Sequence, residues 1–179
     1  MRVFPDISTI PRVLLRDPGA CGPLAVWQVL SYFGIATTPE AICAASRYDV
    51  DAGAHTVGLA VALAMGGCAV RYYSDADPNP EPVERILYKE LDAIGVATEV
   101  PPDLAELLSC LDGDHVAVVL YQSQPESAFG HFTPVLGVSN SGVIAPNENE
   151  QLSISHLDEL WRAPGLYRQA LIACRAPAA

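Results

Sequence analysis

The sequence is short of positive charge. Ten Lys and Arg stand against 21 Asp and Glu, leaving a net charge of −11 and a pI near 4.6. A surface of that sign repels phosphate backbones and anionic headgroups, which argues against nucleic acid or an acidic membrane as partner. Long apolar runs are also missing. No stretch approaches the ~18 apolar residues of a membrane span. The opening MRVFPDISTIPRVLL places prolines and an Asp where a secretion signal needs an unbroken apolar core. The reading is a soluble, cytoplasmic protein with no membrane span. Cysteines are few and scattered: Cys21, Cys43, Cys68, Cys110 and Cys174. They form no CxxC and no His pair stands at zinc spacing, so neither a zinc site nor a disulfide framework is expected, and a reducing compartment fits. With no Gly-rich phosphate loop and no metal cluster, no cofactor is expected. There are no internal repeats, and Asp75–Pro82 is the one compositionally biased stretch.

What is present is globular. Half of the 179 residues are apolar and 17% are charged, a balance that builds a core in a single domain spanning 1–179. Residues 1–20 read as an extended arm, with a short strand at 13–15. Leu24, Trp27, Leu30 and Phe33 recur at helical spacing after Cys21. Helices are predicted at 39–46, capped by Thr37 or Thr38, and at 56–66, where nearly every side chain is apolar. A strand is predicted at 68–73, a helix at 81–94, an extended piece at 96–100 and a helix at 103–111. The period then changes. Strands are predicted at 115–121, 131–138 and 142–145, the last two joined by a tight hairpin at 139–142. A short strand at 152–154, a helix at 155–161 capped by Ser155 and a strand at 166–174 complete the chain. A helical N-terminal half followed by a largely antiparallel C-terminal half is an α+β pattern.

One stretch carries chemistry on its face. Ala20-Cys-Gly-Pro leads directly into an apolar helix, which places Cys21 at the helix head. Unpaired N–H groups and the positive end of the helix dipole point there and favour a thiolate. A thiolate is a nucleophile and needs a base. Of the four histidines, His156 reads as exposed, His55 lies in a polar turn and His115 begins a buried strand. His131 follows a Gly-containing loop at a strand start, in Phe129-Gly-His-Phe-Thr-Pro-Val-Leu-Gly-Val138. A ring there is held rigidly while free to face a cleft.

Cys-Gly-Pro-helix followed by Gly-His at the start of a hairpin resembles the papain-like cysteine peptidase superfamily. Within it the sequence is most similar to the bacteriocin-leader (double-glycine) peptidase family. The resemblance runs through CGPLAVWQVLSYFGI, AGAHTVGLAVALAMGG, HVAVVLY, GHFTPVLGVSNSGVIAP and ISHLDELWR. It implies a papain-like α+β fold with a helical half packed on an antiparallel sheet. It also implies a Cys–His–Asp triad with an oxyanion-hole Gln, in which Cys21 is the nucleophile and His131 the base. Two positions depart from the pattern. Alignment on Pro146 puts Ala145 at the Asp position, whereas alignment on spacing gives Asn147. An amide oxygen still fixes an imidazole tautomer, so Asn147 is favoured, with Glu148 the alternative. Leu15 stands where the Gln is expected and has no donor; losing one oxyanion donor typically costs ~10²–10³ in rate.

The resulting expectation is an acyl-transfer enzyme forming a thioester on Cys21. It would cleave or form an amide on a peptide or a carrier-bound acyl substrate, in natural-product biosynthesis or peptide processing. The alternative is a degenerate papain-like domain that binds a peptide without cleaving it. Tyr72, Tyr73, Trp161 and the 122–130 loop are candidates to line the cleft, with core packing the competing role for each aromatic. Phe132 and Trp27 are assigned to the core, and Glu126 and the 75–84 acidic run to solvated surface.

Overall fold

The computed structural model describes residues 4–123, 130–148 and 151–176. Most of the 122–130 loop, including Glu126, and the end of the C-terminal tail lie outside the described residues. In chain order the elements are α1 (Arg12–Arg16), α2 (Cys21–Tyr32), α3 (Pro39–Ser46), α4 (Thr56–Met65), β1 (Cys68–Tyr73), α5 (Pro82–Ala93), β2 (Thr98–Glu99), α6 (Leu104–Leu108), β3 (His115–Tyr121), β4 (His131–Val135), β5 (Gly137–Ser139), β6 (Gly142–Ile144), α7 (Ile154–Trp161) and β7 (Ala170–Arg175). A 3₁₀ turn at Ile7–Thr9 precedes α1.

Five strands form one sheet in the order β2-β1-β7-β3-β4. Neighbours are antiparallel except the parallel pair β1 and β2. Both faces are covered. On β3, Val116 and Val118 enter one core, while Ala117, Val119 and Tyr121 enter the other. A strand buried on both faces needs no polar alternation, which is why HVAVVLY reads as a continuous apolar run. The first core is filled from α2 to α5. α4 lies at its centre, buried from Thr56 to Leu63, as a helix that is apolar all round must be. The second core is closed by α6 and α7 through Leu104, Leu107, Leu108, Leu157 and Trp161.

Local signals place several boundaries. Thr38 Oγ1 accepts from the Ala41 N–H at 3.2 Å, with Pro39 opening α3. Glu81 and Glu84 form a reciprocal capping box at the start of α5.

Other expectations are corrected. Residues 13–15 are not a strand but part of α1, which turns Leu14 inward against Ile10 and Ala20; three apolar residues are too few to fix a period. The strand expected at 131–138 is broken at Leu136. Its second part, β5, leaves the main sheet and pairs only with β6. No strand forms at 152–154, although the Val143 N–H reaches Leu152 O at 2.8 Å. Ile154 opens α7, and Ser153 rather than Ser155 caps it, accepting from the His156 N–H at 3.1 Å. The halves are less segregated than the pattern implied, because β7 is inserted between β1 and β3. Trp27 is only half-buried, while Phe132 is a core residue. Tyr72, Tyr73 and Trp161 are buried in the cores rather than lining a cleft. Trp161 Nε1 donates to Gln169 O at 3.0 Å. Among the described residues no helix is long and apolar enough to cross a membrane.

Because Trp161 joins α7 to β7 through both its ring and its N–H, Trp161→Ala should cost about 3–5 kcal/mol. Thermal melting followed by circular dichroism should show Tm lower by roughly 6–20 °C.

Candidate active site

Cys21 is the first residue of α2. The Leu24 N–H bonds back to Ala20 O at 2.8 Å, so the proline at 23 sits among amides that have no helical partner in any case. Gly22 permits the close seating of this helix end: a Cβ there would stand 3.0 Å from Ala54 Cβ and 3.1 Å from Leu59 Cδ2. Across the cleft, α2 packs on β4, the outer strand of the sheet. The backbone N–H groups of Phe132, Gly22 and Cys21 approach the sulfur and favour its anion. They do not prevail. Burial, aided by the negative charge of Asp17, holds the Cys21 thiol above its ordinary value of 9.0. The lowering expected at the helix head is therefore not found, because removal from water outweighs the backbone N–H groups.

His131 is the first residue of β4, and its register partner is Tyr121. Gly130 precedes it in a tight fit: a Cβ there would fall 2.4 Å from Leu120 Cδ1 and 3.2 Å from Leu166 Cδ2, so the leucine side chains would have to shift. The imidazole stands edge-on to the Tyr121 ring, with centroids 5.6 Å apart. Its Nε2 is 3.7 Å from Glu148 Oε1. The other Glu148 oxygen accepts from the Tyr121 hydroxyl at 2.7 Å. Burial first, and then this carboxylate, push the Tyr121 proton to dissociate only at high pH, so the phenol remains a donor. Glu148 Oε1 is buried without a hydrogen-bond partner among the described residues, and the imidazole is the group it faces.

Asn147 makes different contacts. Its Nδ2 donates to Gln28 Oε1, and Gln28 Nε2 donates to Asn147 Oδ1, each at 2.7 Å. Gln28 is buried on α2, so this amide pair pins the turn after β6 to the helix that carries Cys21. The neighbouring Glu148, not Asn147, carries the contact to the ring. Sequence reasoning passed over Gln28 and Tyr121. A lone amide on the apolar stripe of α2 was the available signal for the first, and a phenol closing an otherwise aliphatic strand for the second.

Cys21 and His131 line one cavity of about 330 Å³, together with Phe132, Gln28, Asn147 and Leu15. Leu15, at the position where the resemblance led to the expectation of Gln, thus lines the same cavity as Cys21. Cys21 and Phe132 also line a second cavity of about 640 Å³ that does not include His131. Among the described residues no group of three His, Cys, Asp or Glu side chains is arranged to hold a metal ion.

The architecture matches solved structures. One is a double glycine motif protease from an AMS/PCAT transporter, in complex with the leader peptide. It shares 12% identity, with a TM-score of 0.55 over 87% of this chain and 84% of that one. Another is the peptidase domain of Streptococcus ComA, a bi-functional ABC transporter involved in a quorum sensing pathway. It shares 14% identity, with a TM-score of 0.52 over 89% of this chain and 92% of that one. The fold is that of the papain-like double-glycine peptidase domains. No protein-family model matches the chain, and no match is found among curated proteins. In this fold the head of the first long helix faces the first residue of a sheet-edge strand, the arrangement that brings Cys21 and His131 to one cavity.

Alkylation with iodoacetamide, followed residue by residue by peptide mass mapping, should show the Cys21 rate still climbing at pH 9, because the thiolate is disfavoured. Asp17→Asn removes an anion, makes the thiolate easier to form and should move that profile to lower pH. A plateau for the wild type below pH 8 would contradict the assignment.

Proposed function

We propose that the chain is a cysteine-dependent acyl-transfer enzyme of the peptidase type, working through a thioester on Cys21. The single observation that carries this is the shared cavity of Cys21 and His131, with the imidazole backed by the Glu148 carboxylate. Because the resting thiol is neutral, the reaction starts with proton transfer. His131 takes the thiol proton as the sulfur attacks the carbonyl carbon. The carbonyl π pair moves to oxygen, where backbone N–H groups at the α2 head and Phe132 are the available donors. The intermediate collapses by breaking the bond to the leaving group, which receives the proton from His131. A water or an amine then gives its proton to His131 and attacks the thioester, and Cys21 is regenerated.

The roles of the remaining residues follow from their contacts. Glu148 stabilises the imidazolium and fixes its orientation, with Tyr121 holding the carboxylate in place. Asn147 is a positioning residue that works through Gln28. Leu15 offers no donor, so oxyanion support comes from backbone alone. That favours an activated acyl group, such as a carrier-bound thioester, beside or in place of an ordinary amide. A peptide substrate is supported by the leader peptide bound in the AMS/PCAT neighbour. A cytoplasmic, biosynthetic or processing setting belongs to the same proposal.

Stopped-flow acylation with peptidyl and acyl thioesters, read with intact-mass spectrometry, tests it. The wild type should accumulate an adduct on Cys21 and Cys21→Ala none. Glu148→Gln should lower the acylation rate ~10²-fold or more, and Asn147→Ala about tenfold or less, together with a loss of about 1–2 kcal/mol in stability. A larger rate loss for Asn147→Ala would return the orienting role to Asn147. No adduct from any acyl donor would leave the fold as a peptide-binding module.

A further inference from the structure

The larger cavity, about 640 Å³, borders Cys21 and does not have His131 in its lining. In acyl transfer to a cysteine the leaving group sits over the imidazole that protonates it, so the retained acyl part extends to the opposite side of the sulfur. That placement rests on the reading proposed above. The cavity is lined by Asp51, Asp77, Glu81 and Glu84, and the one basic group in its lining is His55. His55 is held by Glu84 at 3.3 Å, with Glu81 at 3.8 Å on its other nitrogen. Glu84 is itself buried and closes the capping box of α5, so His55 and Glu84 largely balance each other. Asp51, Asp77 and Glu81 remain in excess, and among the described residues no Lys or Arg pairs with them.

A second observation is independent of the charge. Thr56, the first residue of α4, lines the same cavity and is only 1% exposed. Its Oγ1 is buried with no hydrogen-bond partner among the described residues. An unmet hydroxyl of this kind is costly unless a partner arrives. Three carboxylates in excess around the cavity and an unmet hydroxyl in its wall, able to accept a hydrogen bond, together suit a cationic donor. The volume is in the range of ligand sites and far exceeds what a glycine side needs.

We infer that this cavity is a specificity site for a basic side chain, Lys or Arg, in the acyl part of a peptide substrate, one or two residues before the bond that Cys21 attacks. The ammonium or guanidinium meets Asp51, Asp77 and Glu81 at the mouth and donates toward Thr56 in the wall. The site thus selects a cationic acyl segment, whereas small residues such as glycine leave it empty.

Peptides that differ only at those two positions decide the matter. Arg, citrulline, norleucine and Glu versions carry an aminocoumarin leaving group for turnover, and their affinities are read by calorimetry on Cys21→Ala at low salt. Arg should exceed citrulline, its neutral near-isostere, roughly 10- to 100-fold in kcat/KM and in affinity, as for a charge-assisted bond lost. The Asp51→Asn/Asp77→Asn double variant leaves the α5 capping box intact and should reduce that ratio several-fold. A wild-type ratio near one, or a ratio unmoved in the double variant, overturns the inference. Turnover without a charge preference removes this site and keeps the enzyme. A charge preference in binding on Cys21→Ala, with no turnover of any peptide by the wild type, keeps this site and removes the enzyme. Neither turnover nor binding overturns both.

Discussion

The contact between the head of α2 and the outer edge of β4 governs the rest of this molecule. It brings an N-terminal thiol and a C-terminal imidazole to one cavity across more than half the chain. Two close approaches accompany it, and in each the absence of a side chain relieves crowding: Gly22 against Ala54 and Leu59, and Gly130 against Leu120 and Leu166. Because β4 is an edge strand, its outward backbone groups are free of the sheet ladder. The Phe132 N–H can therefore face the Cys21 sulfur.

The electrostatics of that contact are a balance rather than a single effect. Helix-head amides draw charge onto the sulfur, while burial and Asp17 oppose it, and burial is the larger influence. Cys21 thus rests as a neutral thiol. The His131 imidazole in turn faces a carboxylate whose second oxygen accepts from Tyr121. The Gln28–Asn147 amide pair then acts as the mechanical link that keeps the carboxylate-bearing turn against α2.

The two cavities that meet at Cys21 differ in character. The smaller one, with His131, is walled largely by apolar groups such as Leu15 and Leu24, whereas the larger is ringed by carboxylates. Cys21 therefore stands between an apolar chamber and an acidic one. Part of the excess acidity of the chain is thereby placed next to the Cys21 sulfur.

The sequence by itself determined much of the local structure and pointed to Cys21 and His131, which the fold brings to one cavity. Cys21 before Gly-Pro and an apolar helix, and Gly130-His131 opening a strand, are short-range signals set by φ preference, capping and steric demand. The helix at 39–46 and the strands at 68–73 and 115–121 were legible for the same reason. Tertiary structure alone decided the rest. The break at Leu136, the insertion of β7 between β1 and β3 and the burial of Trp161 depend on partners distant in sequence. So do the choice of Glu148 over Asn147 beside the ring and the upward shift of the Cys21 thiol. In both cases the deciding energy comes from groups far along the chain, an amide on α2 for Asn147 and the desolvating pack around the sulfur for Cys21. Local pattern carries no record of either.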